Sequence, residues 1–203
     1  MENDYFIEVN AWENCNPEDL WIFDKLIVAR LAGHVCGPMG VPVPKRGNYF
    51  VRPVTNIKGM GRNARVEYLD GDTDHLHPGE FWCEIFEGEH LSIDYKKYTP
   101  ILSVRGEKDK NRPYQRFTRW EKTDKTCPLP SFIGYIPLRY ETINCEFIGG
   151  KLIEIHLRGN PDFKHGNSSV IPLWKNDIDP KPDGYKFISD DGTELERLGI
   201  YVK

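Results

Sequence analysis

The sequence predicts an α+β protein with mainly antiparallel sheets, and three observations carry that expectation. Leu20, Phe23, Leu26, Ile27 and Leu31 repeat at helical spacing. After the proline-rich segment 37–44 the pattern changes to short strand-like runs separated by Gly, Asn, Asp and Lys turns. Two such runs near the end flank a Gly149-Gly150 pair, a hairpin signal. With 203 residues, 39% hydrophobic and 12% aromatic, the chain can bury a real core as one large domain or two small subdomains.

In order, residues 5–9 read as a short strand. Asn16-Pro17-Glu18-Asp19 then supplies an N-cap, a proline at the first helical position and acids in the first turn, so a helix is expected from there to Gly33. Strands are expected at 49–54, 64–69, 80–86, 90–95 and 101–105. Residues 106–126 are dense in charge, with Arg112, Arg116 and Arg119 interleaved with Tyr114, Phe117 and Trp120, and read as a partly ordered strand or loop. The final hairpin comprises 140–147 and 151–158, and the first 160 residues are expected to form the folded domain. From Pro161 the remainder, 161–203, reads as an irregular segment packed on it.

The net charge of −4 and pI near 5.9 give no general pull toward nucleic acid or anionic membrane. Five cysteines, none in a Cys-x-x-Cys pair, fit reduced thiols better than a disulfide framework. No basic n-region precedes an apolar run and no segment is long enough to span a bilayer, so a cytoplasmic setting is expected.

The densest chemistry lies in the hairpin. Alternation places Glu154, His156 and Arg158 on one strand face, where a purely structural strand would carry Val or Thr. A charged solvent-facing strand is the competing reading. Register separates the two. A regular two-residue turn sets Glu154 opposite Cys145, whereas a three-residue loop with a glycine bulge brings Glu146 and Asn144 onto the Glu154 face. A shared metal site therefore predicts the bulged turn.

Two further segments precede it. Tyr49-Phe-Val-Arg52-Pro53 leads into a loop holding Lys58, Gly59 and Gly61, where exposed backbone N–H groups and cations can approach phosphate. The run from Phe81 to Asp94 is an apolar strand, a polar hinge and a returning strand, able to present backbone groups to an adenine edge with Phe86 against the base.

Taken in this order, the segments resemble the ATP-grasp superfamily, in which two α+β subdomains grip a nucleotide between them. Arg52 with Lys58, Gly59 and Gly61 resembles the strand-end cation and glycine-rich flap that hold ATP phosphates. Glu84, Phe86 and His90 fall in the hinge that resembles the base and ribose site. Glu146 with Glu154-Ile-His156-Leu-Arg158 resembles the paired magnesium carboxylates and the Glu-x-Asn-x-Arg signature. His156 stands where the family usually has a metal-ligating Asn, and Cys83 sits close to a usual hinge acid.

The resemblance implies ATP and Mg2+ or Mn2+ as cofactors, with Glu146, Glu154 and His156 on the metal and Arg158 and His156 as catalytic groups. The reaction implied is ligation of a small-molecule or peptide carboxylate, through an acylphosphate, to an amine or thiol. Little chain precedes the helix at Leu20, so the expected protein is a compact member lacking the customary N-terminal domain, with a protein partner able to supply substrate recognition. The alternative is a non-catalytic relative that uses the fold as an interaction or regulatory module. His75-x-His77 beside His90 invites a zinc reading, but lacks cysteines or acids at ligand spacing. The Arg112 to Trp120 cluster suits a substrate- or phosphate-facing flap at least as well as a nucleic-acid strand.

Overall fold

The computed structural model describes residues 4–55, 63–114, 116–164, 166–190 and 197–203, with side chains from Glu8 onward. Among these, the strands form two antiparallel sheets. The smaller contains β1 (Cys36–Pro38), β2 (Gly47–Pro53), β3 (Arg65–Leu69) and β4 (Glu80–Cys83), in the order β1-β4-β2-β3. The larger contains β5 (His90–Lys96), β6 (Thr99–Lys108), β7 (Phe117–Lys122), β8 (Ile143–Ile148), β9 (Lys151–His156), β10 (Ser169–Trp174), β11 (Lys186–Ser189) and β12 (Arg197–Val202). Its order is β11-β12-β10-β7-β6-β5-β8-β9. The α+β expectation with two mainly antiparallel sheets is what the chain adopts.

Alternation, interrupted by one bulge in β9, sorts strands β5, β8 and β9 of the larger sheet into an apolar and a polar face. Leu91, Ile93 and Tyr95 of β5, Ile143, Cys145 and Phe147 of β8, and Leu152 and Ile155 of β9 enter one core with Ile22, Phe23 and Val28. The residues between them, His90, Ser92 and Asp94, Asn144 and Glu146, and Glu154 and His156, therefore share the opposite face. The smaller sheet has its own core of Val43, Tyr49, Val51, Leu69, Leu76 and Trp82.

Three expectations are corrected. Residues 5–9 lie in a helix, α1 (Asp4–Glu13). A strand needs a ladder partner and neither sheet pairs with this segment, whereas a helix brings Ala11 and Trp12 onto the core, Trp12 edge-on to Phe23 at 5.0 Å.

The single helix expected after Asn16 is divided. A 3-10 turn spans Pro17–Phe23, and α2 (Lys25–Leu31) begins afresh at Asp24, whose side chain accepts from the Ile27 N–H at 2.9 Å. The Lys25 N–H donates outward to the Val54 carbonyl at 2.9 Å, a tertiary bond that helical periodicity does not reveal.

The C-terminal segment is not irregular: β10, β11 and β12 extend the larger sheet, and Val170, Ile200 and Val202 pack with Val104 and Phe163. Every residue of β10 is buried, so it shows no alternation. Pro172 within it is tolerated because β10 meets β7 only at Ser169 and Val170.

Candidate functional site

The polar face of β5, β8 and β9 forms the floor of a cavity of about 220 Å³ between the two sheets. Register aligns its residues in rows: Ser92, Glu146 and Glu154 stand abreast, as do Asp94, Asn144 and His156. The turn after β8 is a two-residue one, with Gly149 at φ +56 and Gly150 at φ +80. The expected bulge lies elsewhere. Phe147 pairs with Leu152 and Glu146 with Glu154, leaving Ile153 as the extra residue within β9. The predicted three-residue loop is thus replaced by a strand bulge that puts Glu146, Asn144 and Glu154 on one face.

Each glutamate divides its two oxygens. Glu154 Oε1 meets Lys25 Nζ at 3.0 Å and Arg52 Nη1 at 2.9 Å, and Glu146 Oε2 lies 2.9 Å from His90 Nε2. The remaining oxygens, Glu154 Oε2 and Glu146 Oε1, face the same atom, His156 Nε2, at 3.6 and 3.9 Å. Burial alone would raise both carboxyls. The His90 hydrogen bond reverses this for Glu146 and the Lys25 charge does so for Glu154, so both lie below the ordinary carboxylate range.

The two carboxylates flank His156 Nε2, and, against the opposition of burial, the neighbouring Glu8 carboxylate raises the His156 pKa, so the ring is favoured as a cation among them. The trio is convergent rather than closed: among the described residues, no three His, Cys, Asp or Glu groups stand at metal-cage spacing.

Below this trio a buried polar network stiffens the floor. Asn144 Nδ2 donates to Ser92 Oγ at 2.8 Å and to Asp94 Oδ1 at 2.7 Å, and the Asn160 N–H donates to Asp94 Oδ1 at 2.9 Å. Desolvation raises the Asp94 carboxyl despite these bonds.

Arg52, at the end of β2, donates its second nitrogen to the Ile153 carbonyl at 3.0 Å, and its guanidinium lies 5.2 Å from the Phe81 ring centre. Arg158 follows β9, and its Nε donates to Glu8 at 2.5 Å. Lys108, at the end of β6, also lines the cavity, and burial lowers its pKa even with Glu146 and Glu154 nearby. Phe50, Tyr114, Phe117, Trp120 and Trp174 wall the cavity with aromatic surface. Phe117 and Trp120 lie together at 4.2 Å, and Tyr114 crosses to Phe50 of the smaller sheet at 5.2 Å. The charged 106–126 stretch therefore contributes the end of β6, all of β7, and Tyr114 between them at the cavity wall.

Of the residues singled out from sequence, Arg52, His90, Glu146, Glu154, His156 and Arg158 line this cavity together. Glu84 and Phe86 do not. The Glu84 carboxylate accepts from the Val35 N–H at 3.0 Å, and the Phe86 ring packs on His34 at 4.6 Å. Lys58, Gly59 and Gly61 lie outside the described residues. His75 pairs with Glu67 at 2.8 Å, apart from His90.

Sequence reasoning missed the roles of Glu8, Lys25, Lys108 and the Ser92–Asp94 pair. Ser92 and Asp94 carried a usable signal, since they interrupt an otherwise apolar strand at alternate positions. Glu8 and Lys108 carried none, because distant elements bring them in.

No family model and no curated protein matches this sequence. Solved structures do. The crystal structure of a protein from Archaeoglobus fulgidus assigned to the ATP-grasp superfamily matches with a TM-score of 0.51 at 12% identity, covering 98% of this chain and 72% of that one. The structure of the ATP-grasp ligase PsnB complexed with minimal precursor matches at a TM-score of 0.41 and 13% identity, covering 71% of this chain and 54% of that one. The fold of this chain is ATP-grasp-like, as the first of these matches shows over nearly its whole length.

Proposed function

We propose that this protein is an ATP- and divalent-metal-dependent ligase that joins a small-molecule or peptide carboxylate to an amine or thiol. The observation that carries the reading is the convergence of Glu146 Oε1 and Glu154 Oε2 on His156 Nε2, between the cations of both sheets in an ATP-grasp-like fold. Glu146, Glu154 and His156 are the residues that would hold Mg2+ or Mn2+, which when bound would supply positive charge to the nucleotide phosphates.

Arg52 and Lys25 neutralise phosphate oxygens from the side of the smaller sheet. A carboxylate oxygen of the substrate forms a bond to the γ-phosphorus as the bond to ADP breaks, and Arg158 balances the charge of the resulting acylphosphate. An amine or thiol then attacks the acyl carbon, phosphate leaves, and the attacking group gives up its proton. The aromatic wall excludes water that would otherwise hydrolyse the acylphosphate.

One observation favours a second reading, a non-catalytic relative acting as an interaction module. Lys25, Arg52 and His90 already compensate the two glutamates without a metal. Thermal unfolding with millimolar ATP plus Mg2+ or Mn2+, alongside assay of ADP release with candidate acids, separates the two. The ligase reading requires a metal-dependent upward shift and turnover, both abolished in Glu154→Gln. A fold that neither shifts nor turns over, with Glu154→Gln equally well folded, favours the interaction module.

A further inference from the structure

The cavity has two unlike ends. One is ionic, with Glu146, Glu154, Lys25, Arg52, His156 and Arg158; the other is built from the rings of Phe50, Tyr114, Phe117, Trp120 and Trp174. Register sets His90, Gly106 and Trp120 abreast on β5, β6 and β7, so Trp120 shares the face of the polar row. A Cβ on Gly106 would stand 2.5 Å from the Phe117 ring and 2.9 Å from that of Trp120. Glycine weakens a strand interior, and β6 carries one where two rings must lie over it. Both rings remain half-buried, with apolar surface turned to the cavity.

The polar atoms at this end are spent. The Trp174 indole N–H donates to the Phe117 carbonyl at 3.1 Å, and His90 Nε2, whose ring stands edge-on to Phe117 and Trp120, is held by Glu146 at 2.9 Å. What a ligand meets here is ring surface, which suits an apolar ring better than the hydrogen-bonding edge of a purine. Lys108 marks the boundary between the ends: two residues after Gly106, its Nζ lies 4.3 Å from the centre of the Phe117 ring. Among the described residues its ammonium makes no hydrogen bond or ion pair. Lys25 and Arg52, by contrast, already hold Glu154, and Arg158 holds Glu8. A cation beside a ring and short of a counter-charge calls for an anion attached to an apolar group.

We propose that the aromatic end is the subsite for the acid substrate, and that this substrate is an aryl-bearing carboxylic acid. Its ring lies against Phe117 and Trp120, and its carboxylate pairs with Lys108 Nζ. The inference deepens the ligase reading and rests on it for the ligand's role as substrate, while the binding itself needs neither nucleotide nor metal. Lys108 is within electrostatic reach of Glu146 and Glu154, so a carboxylate held there sits beside the ionic end.

The test is isothermal titration calorimetry of the full chain with three probes: 3-phenylpropionate, its amide 3-phenylpropionamide, which lacks the charge, and hexanoate, which lacks the ring. Wild type should bind phenylpropionate about fivefold tighter than hexanoate and about tenfold tighter than the amide. Lys108→Met should erase the preference for acid over amide and keep that for the ring. Trp120→Leu should do the reverse. Lys108 belongs to no core cluster, so its variant keeps the test decisive if Trp120→Leu folds poorly. Saturating ATP with Mg2+ should leave phenylpropionate binding unchanged or tighter, and phenylpropionate should surpass hexanoate in driving ADP release with hydroxylamine as the amine.

Equal affinity for the three probes, or binding of none, would overturn the inference, as would preferences that survive both substitutions. Phenylpropionate displaced as ATP is raised would also overturn it and assign the rings to the nucleotide base. ADP release driven by hexanoate and not by phenylpropionate would sink this inference and leave the ligase reading intact. Ring- and charge-selective binding without ADP release from any acid would uphold the subsite and overturn the ligase reading instead.

Discussion

The carbonyl of Ile153, the extra residue of the β9 bulge, accepts a hydrogen bond from Arg52 Nη2 at 3.0 Å. The bulge turns Glu154 toward Glu146, and the group it frees from the ladder is taken up by the strand-end cation of the smaller sheet. Arg52 also meets Glu154 Oε1 at 2.9 Å, so one guanidinium links the bulge, the carboxylate and the two sheets.

Removing that cation should therefore cost stability as well as ligand binding. Arg52→Met leaves the Ile153 carbonyl without its donor and Glu154 with Lys25 as its remaining close cation. The expected loss is about 3 kcal/mol by urea unfolding. Arg52→Lys keeps the charge but not the fork, and should lose about 1 kcal/mol. Equal stability of both variants and wild type would show that the bulge does not depend on Arg52.

The two turn glycines should differ in sensitivity. A Cβ on Gly149 would stand 2.1 Å from the Glu87 carbonyl oxygen, while one on Gly150 would meet open space. Both have positive φ, so Gly150→Ala should cost about 1 kcal/mol and Gly149→Ala about 3 kcal/mol or more. Thermal unfolding of the two variants checks the order. The closeness of Gly149 to Glu87 is also what seats the segment between β4 and β5 on the β8–β9 turn.

Acid should weaken the smaller sheet through Glu80. The Arg65 guanidinium, bonded to both its oxygens at 2.6 and 3.0 Å, holds the Glu80 carboxyl below its ordinary value of 4.5. A lowered carboxyl contributes stability above its unfolded pKa that is lost as pH falls through the folded one. Urea unfolding should therefore show stability declining below pH 4.5, and Arg65→Met should flatten that decline. An identical slope in the variant would remove the pair from the acid response.

Thiol labelling should divide the cysteines. Cys83 and Cys145 are buried in separate cores, and burial pushes the Cys83 thiol up to about 12. Both should resist iodoacetamide at pH 8 in the native protein and react after denaturation, since the thiolate is the reactive form. Cys15, Cys36 and Cys127 are partly exposed and should react first. Mass spectrometry of the labelled peptides reads this directly.

Strands such as β2, β3, β5 and β9 were legible because period-two alternation and Gly or Asn turns are local signals. The segments at 49–54, 64–69, 90–95 and 151–158 lie close to β2, β3, β5 and β9. Local signals failed where a distant partner decided. Residues 5–9 alternate too briefly to specify a strand, and the core contact of Trp12 made them helical. The helix expected to run on from Asn16 restarts at Asp24, where the Lys25 N–H is drawn to Val54. Both faces of β10 are covered, so it showed no period at all.

The sequence by itself determined which residues of the hairpin bring ionisable groups to the cavity: Glu146, Glu154, His156 and Arg158 announce themselves as acids, an imidazole and a guanidinium at strand spacing. Whether the two glutamates meet was beyond it. Side-chain facing along a strand reverses with each residue of register, and the choice between turn bulge and strand bulge depends on contacts such as Arg52 on the Ile153 carbonyl. Only the tertiary structure could bring α1, α2, β2 and β6 to that face. Glu8, Lys25, Arg52 and Lys108 are separated along the chain by long stretches and share no local pattern.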